Sequence, residues 1–185
     1  MIPGRLCYAL AVRGAAVLIV LSTLAPGLAT AQAVPSRERV REMLSGIEDA
    51  PTDADWRRLG DGVLPVLIDL GDDTSQPPYV RLRAVGATGA FPRAAVRTFL
   101  LAVARVEGQS DLLVREAVVT LARAFGGAAI EDLAPFLGHD EAVVRDAAAR
   151  SLGTIGGAAA TRALRQRLRV ERDDTVRRTI ERALR

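Results

Sequence analysis

The sequence is poor in the residues from which catalytic and metal centres are built. It contains one cysteine, Cys7, and one histidine, His139, among 185 residues. A zinc site needs three or four ligands, and a serine–histidine–acid triad would have to combine His139 with Ser110 or Ser151. Neither serine lies in the glycine pattern of a nucleophile elbow. We therefore expect a protein without enzymatic activity, metal or cofactor, in which His139 is an exposed turn residue.

Two pairs of adjacent carboxylates are the remaining candidates for cation ligands. Asp72 is followed by Asp73, and Asp173 is followed by Asp174. Calcium needs more oxygen ligands in a defined loop, whereas an aspartate at a helix start commonly accepts hydrogen bonds from free backbone N–H groups. We therefore interpret both pairs as helix caps.

Aromatic residues make up only 4% of the chain, although 49% of its residues are hydrophobic. A core of this composition is built from alanine, valine and leucine, which suits closely packed helices better than a sandwich of β-sheets. Lysine is absent, and all 25 basic residues are arginine, which we attribute to the base composition of the gene. The composition therefore favours an all-α fold.

The stretch from Asp140 to Gly156 has the pattern of an amphipathic helix. Its apolar residues recur with the 3.6-residue period of one helix face. Asp140 is expected to cap the N-terminus, and Glu141 lies four residues before Arg145, a spacing that allows an ion pair. Gly156 ends the pattern. The apolar face consists of Val144, Ala147, Ala148, Leu152 and Ile155.

The same pattern recurs along the chain. Valine followed by arginine occurs at four positions, separated by 34, 30 and 32 residues. Apolar residues recur at similar spacings after each pair. We expect the ion pair to an acidic residue four positions earlier to recur as well. A helical pattern with a period near 30 predicts stacked two-helix units with a shared core. The four pairs are Val80–Arg81, Val114–Arg115, Val144–Arg145 and Val176–Arg177.

Helix boundaries follow from the apolar pattern and from the positions of proline and glycine. Pro65 lies inside the pattern of residues 56–70 and is expected to kink or split that helix at Leu64. Ser36 is expected to cap the first helix. The predicted helices span residues 36–47, 56–70, 78–91, 92–106, 111–125, 128–137, 140–155, 158–170 and 173–185.

The segment VRDAAARSLGTIGG resembles the first helix of the HEAT-like repeat, in the short form also found in phycobilisome lyases. The resemblance is good over residues 111–137 and 140–170, and looser over residues 77–106. It implies a right-handed α-solenoid of stacked antiparallel helix pairs, in which the second helices line a concave surface. It implies little about function, because this fold has many unrelated roles.

The N-terminal segment has the layout of a secretory signal peptide. Arg5 and Arg13 precede an apolar run of 12 residues, GAAVLIVLSTLA. This run is short compared with the ~20 residues of a membrane-spanning helix. Small residues then allow cleavage after Ala31 or Ala33. Cys7 precedes the run, so no lipoprotein site is evident and the mature chain would have no cysteine.

We therefore predict an exported protein, periplasmic or secreted, with an uncleaved membrane anchor as the alternative. Three parts follow from the sequence. They are residues 1–31 as the signal peptide, residues 32–76 as an N-terminal helix pair with its linker, and residues 77–185 as the HEAT-like repeats.

Charge is unevenly distributed along the mature chain. Residues 32–141 contain 12 arginines and 17 acidic residues, a net charge of −5, whereas residues 142–185 contain 11 arginines and 5 acidic residues, a net charge of +6. Within the basic part, Arg162, Arg165 and Arg169 fall on one face of a predicted second helix. The resemblance implies that this face lines the groove. Arg172, Arg178, Arg182 and Arg185 extend the charge to the end of the chain.

We interpret Arg162, Arg165, Arg169 and Arg172 as a docking surface for an acidic protein segment or for anionic lipid head groups. The alternative is a solvated face of a terminal repeat. The predicted function is that of a non-enzymatic scaffold that binds a protein partner.

Other functions are less favoured by the sequence. HEAT-like glycosylases that bind DNA need a catalytic acid and aromatic residues around an extruded base, whereas Trp56, Tyr79 and the phenylalanines are scattered here. We therefore expect no nucleic acid partner. A lyase-like or other protein that handles a small ligand, and a peripheral membrane protein held by its basic end, are the alternatives. The identity of the partner and the oligomeric state do not follow from the sequence.

Overall fold

The computed structural model of the protein describes residues 34–46 and 50–185. Over these residues the regular structure consists of α-helices and short 3₁₀ turns, without a strand. The predicted signal segment, with its cleavage positions after Ala31 and Ala33, lies outside the described residues. The α-helices are α1 (Arg37–Ser45), α2 (Asp53–Arg58), α3 (Leu64–Asp72), α4 (Pro78–Thr88), α5 (Ala94–Arg105), α6 (Asp111–Phe125), α7 (Ile130–Leu133), α8 (Ala142–Ile155), α9 (Gly157–Leu168) and α10 (Asp174–Ala183).

Among these helices, none is both long enough and apolar enough to span a lipid bilayer.

Most of the helices lie close to their predicted positions. Helix α6 spans the predicted residues 111–125. The apolar stretch of residues 56–70 is split, as Pro65 indicated: α2 ends before Gly60, which adopts the left-handed φ of 81°, and α3 begins with Pro65 in its first turn. Glycine reaches this φ without a Cβ clash, so Gly60 and Pro65 together separate the two helices.

The segment of residues 128–137 differs from the prediction of one continuous helix. Only Ile130–Leu133 is α-helical, and the turns on either side, Gly126–Ala129 and Ala134–Gly138, are 3₁₀. Pro135 explains part of the difference, since its ring clashes with the preceding turn and it has no N–H to donate. The result is an irregular partner for α8 rather than a second full helix.

Two of the predicted N-terminal caps are confirmed. The hydroxyl of Ser36 accepts a hydrogen bond from the N–H of Arg39 at 3.2 Å. The carboxylate of Asp173 accepts from the N–H groups of Thr175 at 2.8 Å and Val176 at 3.0 Å. Each cap satisfies N–H groups that have no partner within the first helical turn.

The predictions for Asp140 and for the pair Asp72–Asp73 are wrong. Helix α8 starts at Ala142, beyond the reach of an Asp140 cap. The imidazole Nδ1 of the neighbouring His139 instead accepts the N–H of Glu141 at 3.1 Å. Asp73 lies at the C-terminal end of α3, where it accepts from the backbone and hydroxyl of the following turn rather than starting a helix.

The helices form two rows, which we call the inner row (α4, α6, α8 and α10) and the outer row (α3, α5, α7 and α9). Each outer-row helix packs against inner-row helices, and successive inner-row helices pack directly against each other. The residues between the rows are fully buried and almost all aliphatic. This arrangement confirms the predicted all-α solenoid, while its handedness stays a prediction. The largest of the buried side chains include Leu67, Leu100, Leu121, Leu133, Leu152, Leu164 and Ile180.

Contacts along the stack run through the inner row. Its consecutive members pack directly against one another, whereas consecutive outer-row helices make few contacts. The helices that carry the Val-Arg pairs therefore form the continuous row of the stack.

Glycine makes the close approach of α8 and α10 possible. A Cβ at Gly153 would lie 2.5 Å from the Cβ of Ala183 and 3.4 Å from its Cα. These atoms belong to the backbone and first side-chain carbon of a packed helix, so neither can move alone. The two helices can keep their spacing only while one of the two positions lacks a side chain.

We expect Gly153→Ala to destabilise the protein, and to become neutral or stabilising when combined with Ala183→Gly. Overpacking costs about 1–3 kcal/mol, while alanine gains about 1 kcal/mol over glycine within a helix. Urea unfolding of the two single variants and the double variant measures the coupling, expected to be at least about 1 kcal/mol. Additive effects would show that α8 and α10 do not meet at this point.

At three of the four Val-Arg pairs the arginine has a recurring role that differs from the prediction. Its guanidinium donates to a carbonyl at the end of the preceding outer-row segment, where backbone acceptors lack partners and the helix dipole is negative. The predicted ion pairs from Glu141 to Arg145 and at the equivalent positions are therefore wrong. The bonds join Arg81 Nε to Gly71 O (3.2 Å), Arg145 Nη1 to His139 O (2.8 Å) and Arg177 Nη1 to Leu168 O (3.3 Å).

Candidate functional site

The predicted arginine residues form one exposed stripe along α9 and the turn that follows it. Arg162 and Arg165 lie on α9, Arg169 directly follows its last residue, and Arg172 lies in the connection to α10. All four residues are exposed. The first three border an open depression of about 640 Å³. The depression lies along one face of a single helix, with Ala158, Thr161 and Gln166 beside the arginines.

None of the four guanidinium groups of the stripe forms an ion pair or a side-chain hydrogen bond within the described part of the chain. Most other described arginines bind carboxylates or carbonyl oxygens, as Arg97 does with Asp132 at 2.6 Å. The stripe therefore keeps its full set of N–H donors for a binding partner. A guanidinium can donate two parallel hydrogen bonds to one carboxylate.

Arg167 lies on the same helix but points away from the stripe. Its guanidinium lies 2.7 Å from Glu171, whose carboxylate also accepts from Arg145 at 2.9 Å and 3.2 Å. The side chain of Glu171 is 1% exposed. It also accepts the N–H groups of Arg172 at 3.0 Å and Asp173 at 2.9 Å. Glu171 thus holds the turn that carries the last arginine of the stripe.

These hydrogen bonds determine the charge of Glu171. Burial by itself raises the pKa of this carboxyl, but the bonds from Arg145, from the N–H of Asp173 and from Arg167 lower it further than burial raises it. The net effect lowers the pKa of Glu171 to about 2. Glu171 is therefore ionised at neutral pH and neutralises part of the charge of its two arginines. The free arginines of the stripe have no such neighbour.

The stripe lies on the outer row. The sequence resemblance implies that second helices such as α9 line a concave surface, and this placement stays a prediction. In the structure Arg162, Arg165 and Arg169 are exposed and border one depression along α9.

A cleft that the sequence did not indicate lies between the N-terminal helices and the inner row. It has a volume of about 250 Å³ and includes Trp56, Arg83, Glu116 and Arg123. Burial raises the pKa of Glu116, while the charges of nearby arginines lower it. Its carboxylate accepts a long hydrogen bond from Thr120 at 3.4 Å. No local motif could have predicted the cleft, since the residues that line it are up to 80 positions apart in the sequence.

This cleft is small for a ligand pocket. Sites for small molecules usually measure about 300–1,000 Å³. The guanidinium groups that reach into it are already used, since Arg83 donates to two backbone carbonyls and Arg123 binds Asp53. The cleft therefore offers one carboxyl and little free donor capacity.

The other candidate residues do not come together. His139 lies in the turn before α8 and is partly exposed, and Ser151 is buried against the neighbouring helix. Ser110 precedes α6. In the described part of the chain, no three histidine, cysteine or acidic residues cluster as metal ligands do.

Residues 103–185 match the family model of HEAT repeats. No curated protein matches the chain. The match covers the inner-row helices α6, α8 and α10 with their outer-row partners, and it does not support the narrower likeness to phycobilisome lyases. HEAT repeats commonly mediate protein–protein interactions, and the family is generally non-enzymatic. The stacked helix pairs and this match together show HEAT-like repeats over residues 103–185.

Proposed function

We propose that the protein is an exported, non-enzymatic scaffold that binds an acidic segment of a protein partner through Arg162, Arg165, Arg169 and Arg172. The observation that carries the proposal is that these four exposed guanidinium groups lie in one stripe and have no acidic partner among the described residues. Most other described arginines donate to carboxylates or carbonyl oxygens, and the others without partners are dispersed over several helices. In the stripe, four free guanidinium groups lie together.

The stripe can provide a modest and salt-dependent affinity. An exposed ion pair contributes about 0.2–1 kcal/mol, so four such contacts supply a few kcal/mol. Charges in contact with water are screened over about 8 Å at physiological ionic strength. We therefore expect binding that weakens as salt rises, with guanidinium–carboxylate geometry adding selectivity for carboxylates.

The export proposal has its support in the sequence. The apolar run of residues 14–25 and the small residues before Gln32 form a signal-peptide pattern. The chain from Gln32 onward is a compact unit by itself and contains no cysteine. Such a domain is stable through helix packing alone and needs no particular redox environment.

A membrane surface is the second candidate partner for the stripe. Arginine clusters are attracted to anionic lipids by about 1 kcal/mol per residue. The large apolar side chain exposed beside the stripe is Val170, which lies between Arg169 and Arg172 and is 65% exposed, whereas membrane-associated helices usually insert Trp, Phe or Leu side chains. This composition supports a protein partner over a lipid surface.

Reversing the charge of the stripe is expected to weaken partner binding without unfolding the protein. The variant Arg162→Glu, Arg165→Glu, Arg169→Glu should weaken binding by at least about tenfold, since it removes three contacts and adds repulsion. The measurement is a quantitative pull-down from the exported fraction with the chain from Gln32 as bait. Circular dichroism verifies that the variant is folded.

The matched control is Arg41→Glu, Arg57→Glu, Arg105→Glu. These three arginines are also exposed and unpaired within the described residues, but they are dispersed on other helices. The control has the same net charge as the stripe variant. If both variants lose the partner equally, general charge and not the stripe determines binding. If neither loses it, the stripe has no part in the interaction.

A further inference from the structure

The inner row carries a repeated position whose residue type changes along the stack. The position lies six residues after the valine of each Val-Arg pair. In the first two helices it is small or buried, and in the last two it is an exposed arginine. The four residues are Gly86, Thr120, Arg150 and Arg182.

At the first two of these positions, the chain covers its own inner row. Helices α1 and α2 lie over α4 and α6, and the carboxylate of Asp53 at the start of α2 binds the guanidinium of Arg123 on α6. Arg83 on α4 donates to the carbonyl of Leu44 at 2.7 Å, and Trp56 of α2 is only 2% exposed. The inner face thus already binds one helical segment of the chain itself, through a carboxylate at the start of that helix.

At the last two positions, the same face is open. A groove of about 400 Å³ runs between α8 and α10. Its floor is the close contact of Gly153 with Ala183, and Arg150 and Arg182 stand exposed at its sides. The residues that line it are Arg150, Gly153, Thr154, Thr179, Arg182 and Ala183.

Only some of the guanidinium N–H groups that border this groove donate hydrogen bonds within the described residues. The Nε of Arg150 donates to Asp146 at 2.7 Å, and both of its Nη groups are without partners among the described residues. Arg182 forms no ion pair there; it donates to the carbonyl of Arg178 at 3.2 Å and weakly to the hydroxyl of Thr179 at 3.5 Å. Thr154 adds an exposed hydroxyl. The groove therefore offers two guanidinium groups to an anion.

We propose that the groove between α8 and α10 is a second docking surface, which binds an acidic helical segment of a protein partner. A carboxylate of that segment binds Arg150 and Arg182 as Asp53 binds Arg123. Two observations support this occupant: the groove continues the face that already holds α2, and its two exposed arginines complement an acidic segment. The site is separate from the stripe on α9, so it stands independently of the proposed function.

The probe is a peptide that copies residues 51–59 with Arg57→Ala and Arg58→Ala, so that its acidic helix start remains and its basic end is removed. It is titrated into the isotopically labelled chain from Gln32, and amide shifts are followed by NMR. We expect saturable shifts at Gly153, Thr154 and Ala183. The variant Arg150→Gln, Arg182→Gln should bind about tenfold more weakly, and a peptide with Asp53→Asn should lose binding to a similar degree.

The matched control variant is Arg162→Gln, Arg165→Gln, which removes the same charge from the stripe and should leave these shifts unchanged. Shifts that map to α9, or only to α4 and α6, would overturn the proposal, as would equal binding of the Asp53→Asn peptide. Vesicles of anionic phospholipid form the last arm. If they bind through Arg150 and Arg182 while the peptide does not, the groove recognises lipid and the proposal of a protein segment is wrong.

Discussion

Replacing Glu171 by glutamine is expected to lower the free energy of unfolding by about 3–5 kcal/mol, the cost of removing one partner from a buried ion pair. The carboxylate is 1% exposed and binds two guanidinium groups, of Arg145 and Arg167, that are 12% and 21% exposed. Glutamine fits the same space but has no charge. It leaves both arginines partly buried without compensation. Urea unfolding at neutral pH measures the loss.

The control for this prediction is Glu181→Gln on α10. Its carboxylate is 47% exposed and lies 3.9 Å from Arg177, a distance and exposure at which an ion pair contributes little. We expect a change below about 0.5 kcal/mol. If Glu171→Gln also costs less than 1 kcal/mol, its carboxylate does not hold the α8–α10 region together as the geometry indicates.

The architecture of this protein was accessible from its sequence because each repeat is specified locally. The 3.6-residue period, the Val-Arg spacing and the prolines lie within single helices, and they predicted α6 over its whole length. The least regular segment, around Pro135, was missed because its apolar pattern continues through turns that are 3₁₀. Periodicity reports which face is buried and does not distinguish an α-helix from a succession of tighter turns.

The ion pairs were not accessible in the same way. Oppositely charged residues four apart on a helix attract one another, so the sequence predicted a pair between Arg145 and Glu141. In the folded protein Arg145 binds Glu171, 26 residues away. The nearby pair is exposed and weak, and the distant carboxylate is buried, where each unmet charge is costly. Burial decides the pairing, and burial depends on how the repeats stack.

In the candidate site too, only the features that lie within one helix could be predicted from the sequence. The spacing of Arg162, Arg165 and Arg169 predicted a shared exposed face, and the structure has it. Sequence resemblance implies that they lie on a concave side, and this stays a prediction. The groove at Arg150 and Arg182 was not predicted, because it forms where Gly153 of α8 meets Ala183 of α10, 30 residues apart in the sequence.

Lowering the pH is expected to remove the contribution of Glu171 between about pH 4.5 and pH 2. The pKa of this carboxyl is about 2 in the folded protein, below its ordinary value of 4.5. The unfolded chain therefore binds a proton more readily than the folded chain in this range. The stabilising effect is complete above pH 4.5 and is lost as the pH falls toward 2. A shift of this size corresponds to about 3 kcal/mol.

Comparison with Glu171→Gln isolates this effect from the other carboxylates. Asp55, whose pKa is about 2 because of hydrogen bonds from the side chain and N–H of Thr52 and from Arg58, titrates in both proteins and cancels in the difference. We expect the stability difference between parent and variant to narrow by about 3 kcal/mol from pH 6 to pH 2. Urea unfolding at several pH values measures it. A difference that stays constant over this range would mean that Glu171 keeps its ordinary pKa, and the hydrogen bonds from Arg145 and Arg167 would then be much weaker than their distances indicate.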